Sequence, residues 1–135
     1  MRNLFLTALI VTAFAAPSRA APPPPGSEEA QQLKGFAQWF GAQKGAWGFC
    51  CSVADGRIVD VRIHGGHYEV RFLHPETIEA AIRPVAGTYY RVRDDVVLHV
   101  PNPTGRPVAW WSEREMFDNG KSIGHIICFV NANLY

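Results

Sequence analysis

The chain has 135 residues, of which 13 are basic and 12 acidic, and its formal net charge is +1. This length is enough for one domain with a real core and too short for two. Basic and acidic residues are interspersed instead of clustered, so the composition excludes the basic surface of a nucleic-acid-binding protein.

The N-terminal segment is typical of a secretory signal peptide. A single basic residue, Arg2, precedes an apolar run from Leu4 to Ala16 that is too short for a stable membrane anchor. Ser18 and Ala20 place small residues at the two positions that signal peptidase reads, so we predict cleavage after Ala20. No later apolar run is long enough to span a membrane, so we expect no transmembrane anchor in the mature chain. The expected location is periplasmic or secreted.

With this cleavage site, we predict three segments in the chain: a signal peptide at 1–20, a proline-rich leader at 21–27 and one globular β-rich domain at 28–135. The signal peptide takes away two basic residues and no acidic one, so the mature chain has a formal net charge near −1. Pro22 to Gly26 predict an extended, polyproline-like tether without core contacts.

One amphipathic helix is predicted after the leader. Ser27 is a typical N-cap residue, and Glu28 and Glu29 suit the first turn, where the helix dipole favours acidic side chains. Apolar residues then recur with helical spacing at Leu33, Phe36, Ala37 and Phe40. We expect this helix to end near Gly41 and to cover one face of a sheet.

A β-hairpin is predicted around Gly65 and Gly66. If these two glycines form a two-residue primed turn, facing residues have numbers that sum to 131. This register places Val59, Val61 and Ile63 opposite Phe72, Val70 and Tyr68 on one face. It also places Arg62 opposite Glu69 and Asp60 opposite Arg71 on the other face.

Further strands are predicted at 89–93, 96–100, 108–111 and 123–130, where aromatic and β-branched residues are frequent. Residues 75–83 fit either a short helix or a half-buried strand. Asn102, Pro103 and Gly105 stand where a type I turn prefers them. The fold class is therefore mainly β (α+β): a small twisted antiparallel sheet or partly open barrel of about six strands, with one N-terminal amphipathic helix.

Three motifs resemble a family of short exported proteobacterial proteins of unassigned activity. They are Cys50-Cys51-Ser52-Val53-Ala54-Asp55-Gly56-Arg57, Asn102-Pro103-Thr104-Gly105-Arg106 and Ile127-Cys128-Phe129. The family tends to have cysteine where this chain has Gly56, and often cysteine where it has Trp110. The resemblance implies that a second disulfide is missing here, and that the remaining cysteines are structural.

Cys128 is predicted to form a disulfide with Cys50 or Cys51, which leaves the other thiol free. Adjacent cysteines rarely bond to each other because the ring strains the peptide between them. If residues 50 and 51 are extended, their side chains point to opposite faces, so only one reaches Cys128. Such a disulfide is typical of an oxidising compartment.

Candidate chemistry is sparse. His64 and His67 flank the predicted turn and are weak candidates for a metal site, with His125 as the only suggested third ligand; we therefore predict no metal and no other cofactor. Trp110 and Trp111 point to opposite faces of a strand, so one ring can be exposed as a possible binding surface. We favour the alternative, in which the large aromatic side chains fill the core. A thiol nucleophile built from Cys50 or Cys51 with a histidine and Asp55 lacks a catalytic context.

Two function classes remain open from the sequence. We favour an exported, non-catalytic module that binds an unidentified envelope component or partner protein, because no catalytic constellation is complete. The alternative is a small hydrolase that is metal-dependent or uses a thiol or histidine. No catalytic residue is assigned.

Overall fold

The computed structural model is described over residues 23–45, 48–50, 56–115 and 122–132. The predicted signal peptide, Cys51 and Asp55 lie outside the described residues. Two short helices, α1 (Glu28–Leu33) and α2 (Ala37–Ala42), precede the strands. The strands are β1 (Lys44–Gly45), β2 (Gly48–Phe49), β3 (Gly56–His64), β4 (His67–Phe72), β5 (Tyr90–Arg91), β6 (Val108–Glu115) and β7 (Ser122–Val130).

The last five strands form one antiparallel sheet in the order β5-β4-β3-β6-β7, curled into a half-barrel, and β1 pairs separately with β2. This confirms the predicted mainly β class. The first part of β3 pairs with β6, whereas its second part pairs with β4. β3 therefore joins the two halves of the sheet.

The N-terminal helix is divided, so the prediction of one continuous helix is wrong. Ser27 is the N-cap of α1, as predicted: its Oγ accepts a hydrogen bond from the Ala30 amide at 3.1 Å. Lys34 is extended, and Gly35 has a φ of 99°, a conformation that glycine adopts readily because it has no Cβ. The break separates the two helices, and each buries a large apolar side chain, Leu33 and Phe40 respectively.

The end of the leader also differs from the prediction of an extended, contact-free tether. Pro23 is buried, and the Ser27 amide donates to the Pro24 carbonyl at 3.0 Å, which closes a turn at Pro25 and Gly26. Gly26 has a φ of 84°, so the chain reverses there and leads directly into α1.

The β3–β4 hairpin has the predicted register from Val59 opposite Phe72 to His64 opposite His67. Both predicted ion pairs form: Arg62 Nε lies 2.6 Å from a Glu69 oxygen, and Arg71 Nη2 lies 2.8 Å from an Asp60 oxygen. The apolar face of the hairpin is only partly covered, as the 72% exposure of Ile63 shows. Only the first three residues of β3 pair with β6, so the tip of the β3–β4 hairpin extends beyond β6.

Around β6 and β7 both faces of the sheet are buried, each in its own apolar cluster, whereas the polar face of the β3–β4 hairpin is partly exposed. Alternation along the strands sends neighbouring residues to different clusters, as for Trp110 and Trp111. The first cluster packs against the connection between β4 and β6 through Ile78, Ile82, Val92 and Val96. The second packs against α1 and α2 through Leu33 and Phe40.

Other predicted segments are confirmed or corrected in detail. The strand predicted at 89–93 is reduced to Tyr90–Arg91, and those at 108–111 and 123–130 are longer than predicted. The strand predicted at 96–100 is wrong: a 3-10 turn covers Asp94–Val96, and only Val97 forms an isolated bridge, to Phe129. Residues 75–83 begin with a 3-10 turn at Pro75–Thr77 and continue as turns.

The turn at Asn102 forms as predicted. The Asn102 side-chain oxygen accepts from the Thr104 amide at 3.1 Å, and the Gly105 amide donates to the Asn102 carbonyl at 3.4 Å. Asn102 also donates to the Arg106 carbonyl and to the Asn131 carbonyl, so this turn is tied to the residue after β7.

Cys50 and Cys128 form a disulfide, with Cα atoms 5.6 Å apart. This confirms Cys128 as the bonded partner and identifies Cys50 as the member of the adjacent pair that it reaches. Both side chains are buried in the second cluster, behind α2. The bond therefore joins the segment after the helices to the last strand.

Candidate functional site

The histidines proposed as weak metal ligands lie opposite each other but have different partners. His64 Nδ1 lies 3.2 Å from a Glu69 oxygen, and His67 Nδ1 lies 3.3 Å from an Asp94 oxygen. His125 is on β7, opposite Ser112, and β6 separates that strand from β3. Among the described residues, no three metal-ligating side chains come close enough together to hold an ion.

The two tryptophans do not form a binding surface. Their side chains point to opposite faces, as predicted, but Trp110 is 0% exposed and Trp111 is 5% exposed. The favoured interpretation, in which these aromatic side chains fill the core, is confirmed, and the alternative of an exposed ring is wrong, because both faces of β6 are covered at these two residues. Cys50 is not available as a thiol nucleophile, since it is in the disulfide.

A polar cleft instead lies between α1 and the sheet, with a volume of about 150 Å³. We call it the α1 cleft. Four segments supply its wall: α1, the first part of β3, the two residues that follow β4, and Arg106 shortly before β6. Its lining residues are Glu28, Glu29, Gln32, Ile58, Leu73, His74 and Arg106.

The inner wall of the α1 cleft contains Glu29, which forms a buried ion pair with Arg57. Glu29 and Arg57 are only 5% and 4% exposed, and their side chains approach to 3.7 Å. One Glu29 oxygen, Oε1, accepts a 2.7 Å hydrogen bond from the Ile58 amide. The other, Oε2, accepts no hydrogen bond from the described part of the chain. Burial raises the pKa of the Glu29 carboxyl, although the Ile58 amide and the Arg57 guanidinium both act to lower it.

Glu29 therefore fixes α1 on the sheet. A buried carboxylate is costly unless it is paired and hydrogen-bonded, and here β3 supplies both partners from consecutive residues. The ion pair itself is shielded, so the groups that can reach a ligand are those at the rim.

The rim is a chain of exposed polar side chains. Gln32 Nε2 donates to Glu28 Oε1 at 3.0 Å, four residues earlier on α1, and Arg106 Nη1 approaches Gln32 Oε1 at 3.5 Å. This arrangement offers a carboxylate acceptor, an amide that both donates and accepts, and a guanidinium donor. The contacts are solvent-exposed, so these groups can exchange partners at small cost.

Leu73 and His74 form another part of the wall. His74 Nδ1 lies 3.2 Å from Glu76 Oε1, and Leu73 is 40% exposed, a large fraction for a leucine in this domain. Leu73 and Ile58 add an apolar surface to the cleft, next to its polar rim. The α1 cleft is thus suited to a small group that has both polar and apolar parts.

Sequence reasoning did not find this cleft, because it assigned Glu28 and Glu29 only to the helix dipole. One signal was present: Glu29 precedes Leu33 by four residues, so the two share a helix face. A carboxyl on the buried face of a helix requires partners in the core. Nothing in the sequence indicated that Leu73, His74 and Arg106 would meet α1.

Comparisons of the chain with protein-family models, with curated proteins and with solved structures find no match. The resemblance to exported proteobacterial proteins therefore stays a prediction. Within the described residues, no helix is long and apolar enough to cross a membrane.

Proposed function

We propose that the mature protein is an exported, non-catalytic module that binds an envelope component or a partner protein through the α1 cleft. The observation that carries this proposal is the rim formed by Glu28, Gln32 and Arg106 beside the exposed part of Leu73. The disulfide supports the exported location, because such bonds persist in oxidising compartments.

The alternative of a small hydrolase has one observation in its favour, the raised pKa of Glu29 beside His74. A carboxyl with a raised pKa is suited to general acid catalysis. Its accessibility argues against this role. Glu29 Oε1 is occupied by the Ile58 amide, and Oε2 is buried beside Arg57. A reacting group in the cleft would meet the rim before it reached this carboxyl.

The proposal is tested by capture from envelope material. Immobilised mature protein is incubated with envelope extract and, separately, with isolated peptidoglycan, and the retained material is identified by mass spectrometry. The cleft variant is Gln32→Ala/Arg106→Ala. Its matched control, Lys34→Ala/Gln38→Ala, removes one cation and one amide from exposed positions that do not line the cleft.

We expect retention by the wild type and the control, and loss of retention by the cleft variant. Equal retention by all three proteins would show that the cleft is not the binding site. Turnover of envelope material by the wild type, abolished by Glu29→Gln, would favour the hydrolase instead.

A further inference from the structure

We infer that the α1 cleft receives one uncharged, hydroxyl-bearing ring of a saccharide. This inference rests on the proposed function, because it names the ligand class of the same site. It follows from four properties of the cleft: its size, its charge balance, its hydrogen-bonding groups and its apolar surface.

Size limits the ligand to one ring or one side chain. The volume of about 150 Å³ is well below the roughly 300–1,000 Å³ that is typical of sites for larger ligands. A longer ligand would therefore place a single unit in the cleft and leave the rest in solvent.

The charges around the cleft favour an uncharged ligand. Glu28 and Arg106 have opposite charges at the rim, and Glu29 is paired with Arg57 behind the inner wall. A cation attracted by one rim group is repelled by the other, and the same holds for an anion. Neither sign of charge gains a net attraction from these groups.

The hydrogen-bonding groups match hydroxyls in particular. A hydroxyl donates one hydrogen bond and accepts others, so it can donate to a carboxylate and accept from a guanidinium or amide. Glu28, Gln32 and Arg106 present all three groups in sequence along one rim. A ring with hydroxyls on adjacent carbons can use neighbouring members of this chain at the same time.

The remaining wall suits the C–H face of a sugar ring. Leu73 is 40% exposed, although it directly follows Phe72, the buried last residue of β4. Leu73 and Ile58 both line the cleft. A ring that lays its apolar face on Leu73 buries surface that is otherwise in contact with water.

The inference is tested by NMR titration of the isotope-labelled mature protein. The uncharged probes are N,N′-diacetylchitobiose and maltose. The charged probes are cadaverine and glutarate, and a short uncharged peptide represents a protein partner. Shifts are followed at the Gln32 side-chain amide and the Leu73 backbone amide, with the tip residue Gly65 as a distant reference.

We expect saturable shifts at Gln32 and Leu73 with at least one saccharide, in the millimolar range that is usual for a single small ring. The affinity should fall about tenfold or more in Gln32→Ala/Arg106→Ala and stay unchanged in Lys34→Ala/Gln38→Ala. Saturable shifts at the cleft with a charged probe or the peptide alone, or no shift with either saccharide, would overturn the inference.

The two proposals fail in different ways. If envelope capture depends on the cleft but neither saccharide binds there, the saccharide assignment is wrong and the binding module stands. If capture does not depend on Gln32 and Arg106, the proposed function is wrong, whatever the saccharides do.

Discussion

Gly124 on β7 allows Trp111 to pack in the core, and Gly124→Ala is expected to destabilise the fold. A Cβ at this position would overlap Nε1, Cε2 and Cζ2 of the Trp111 indole. The indole has little room to move, because it contacts the rings of Phe72 and Tyr90 at centroid distances of 5.1 and 5.0 Å. Its Nε1 also donates a buried 2.7 Å hydrogen bond to the Ile82 carbonyl.

Two terms give the size of the effect. Overpacking a core by one methyl group costs about 1–3 kcal/mol. Displacing the indole would also break its hydrogen bond to Ile82, and a buried donor left without a partner costs about 1–3 kcal/mol. The expected loss in the free energy of unfolding is therefore about 2–6 kcal/mol, a large part of the roughly 5–15 kcal/mol that is usual for a domain.

The assay is urea unfolding followed by far-ultraviolet circular dichroism. The matched control is Gly41→Ala on α2, where an added Cβ meets nothing within 4 Å. Alanine is a better helix former than glycine by about 1 kcal/mol, so the control should have an unchanged or slightly higher midpoint. A Gly124→Ala protein at least as stable as the wild type would refute the described packing of Trp111.

Three further predictions concern processing, the disulfide and pH. Mass spectrometry of exported protein should show that the mature chain begins at Ala21; an intact Met1 would contradict the signal peptide. Thiol counting in unreduced, denatured protein should give one free thiol per chain, with Cys50 and Cys128 cross-linked; three free thiols would contradict the bond. Reduction of the disulfide should lower the free energy of unfolding by about 4.5 kcal/mol, on the chain-entropy model for a separation of 78 residues. The hydrogen bond from the Tyr89 hydroxyl, together with Arg71, lowers the pKa of Asp60 below its ordinary 3.8. The ionised carboxylate therefore stabilises the fold above pH 3.8, and this contribution is lost as the pH falls through the pKa of the folded state. Urea unfolding of Asp60→Asn should therefore show a deficit near neutral pH that closes in strong acid; a deficit independent of pH would contradict the assignment.

The hairpin was predictable because several local signals agreed. Two adjacent glycines specify the turn, and only one register gives both an apolar face and two opposite-charge pairs. Nothing local indicated that Ile63 would be exposed. Its exposure depends on where β6 stops pairing with β3, which is a property of the whole sheet.

The tryptophans show where alternation stops being informative. Alternation correctly placed Trp110 and Trp111 on opposite faces, but it does not say whether a face is covered. At these two residues the helices cover one face, and the connection between β4 and β6 covers the other. That connection contains few regular elements, so its buried residues, such as Ile78 and Ile82, have no clear periodicity.

Gly56 and Trp110, the two positions at which the predicted resemblance implies cysteines in related proteins, are Cα partners across β3 and β6. In this chain the space beside Gly56 is occupied by Phe40, whose ring lies 5.5 Å from that of Trp110. Aromatic packing thus occupies the place where the resemblance implies a second disulfide.

The α1 cleft could not be predicted from the sequence, because its walls come from four separate segments. Gln32 and Arg106 are 74 residues apart and meet only once the Asn102 turn is held against the sheet. The break at Gly35 also ends α1 after six residues. A continuous helix, as the sequence predicted, would not have separated the cleft-lining α1 from α2.

The most direct test of the central claim is hydrogen exchange of the mature protein, free and bound to isolated envelope material. Binding through the α1 cleft predicts slower exchange over residues 28–32, at Leu73 and His74, and at Arg106. Exchange at the hairpin tip, residues 63–67, should not change. Protection confined to the tip, or slower exchange nowhere in the cleft while the protein is bound, would contradict the account.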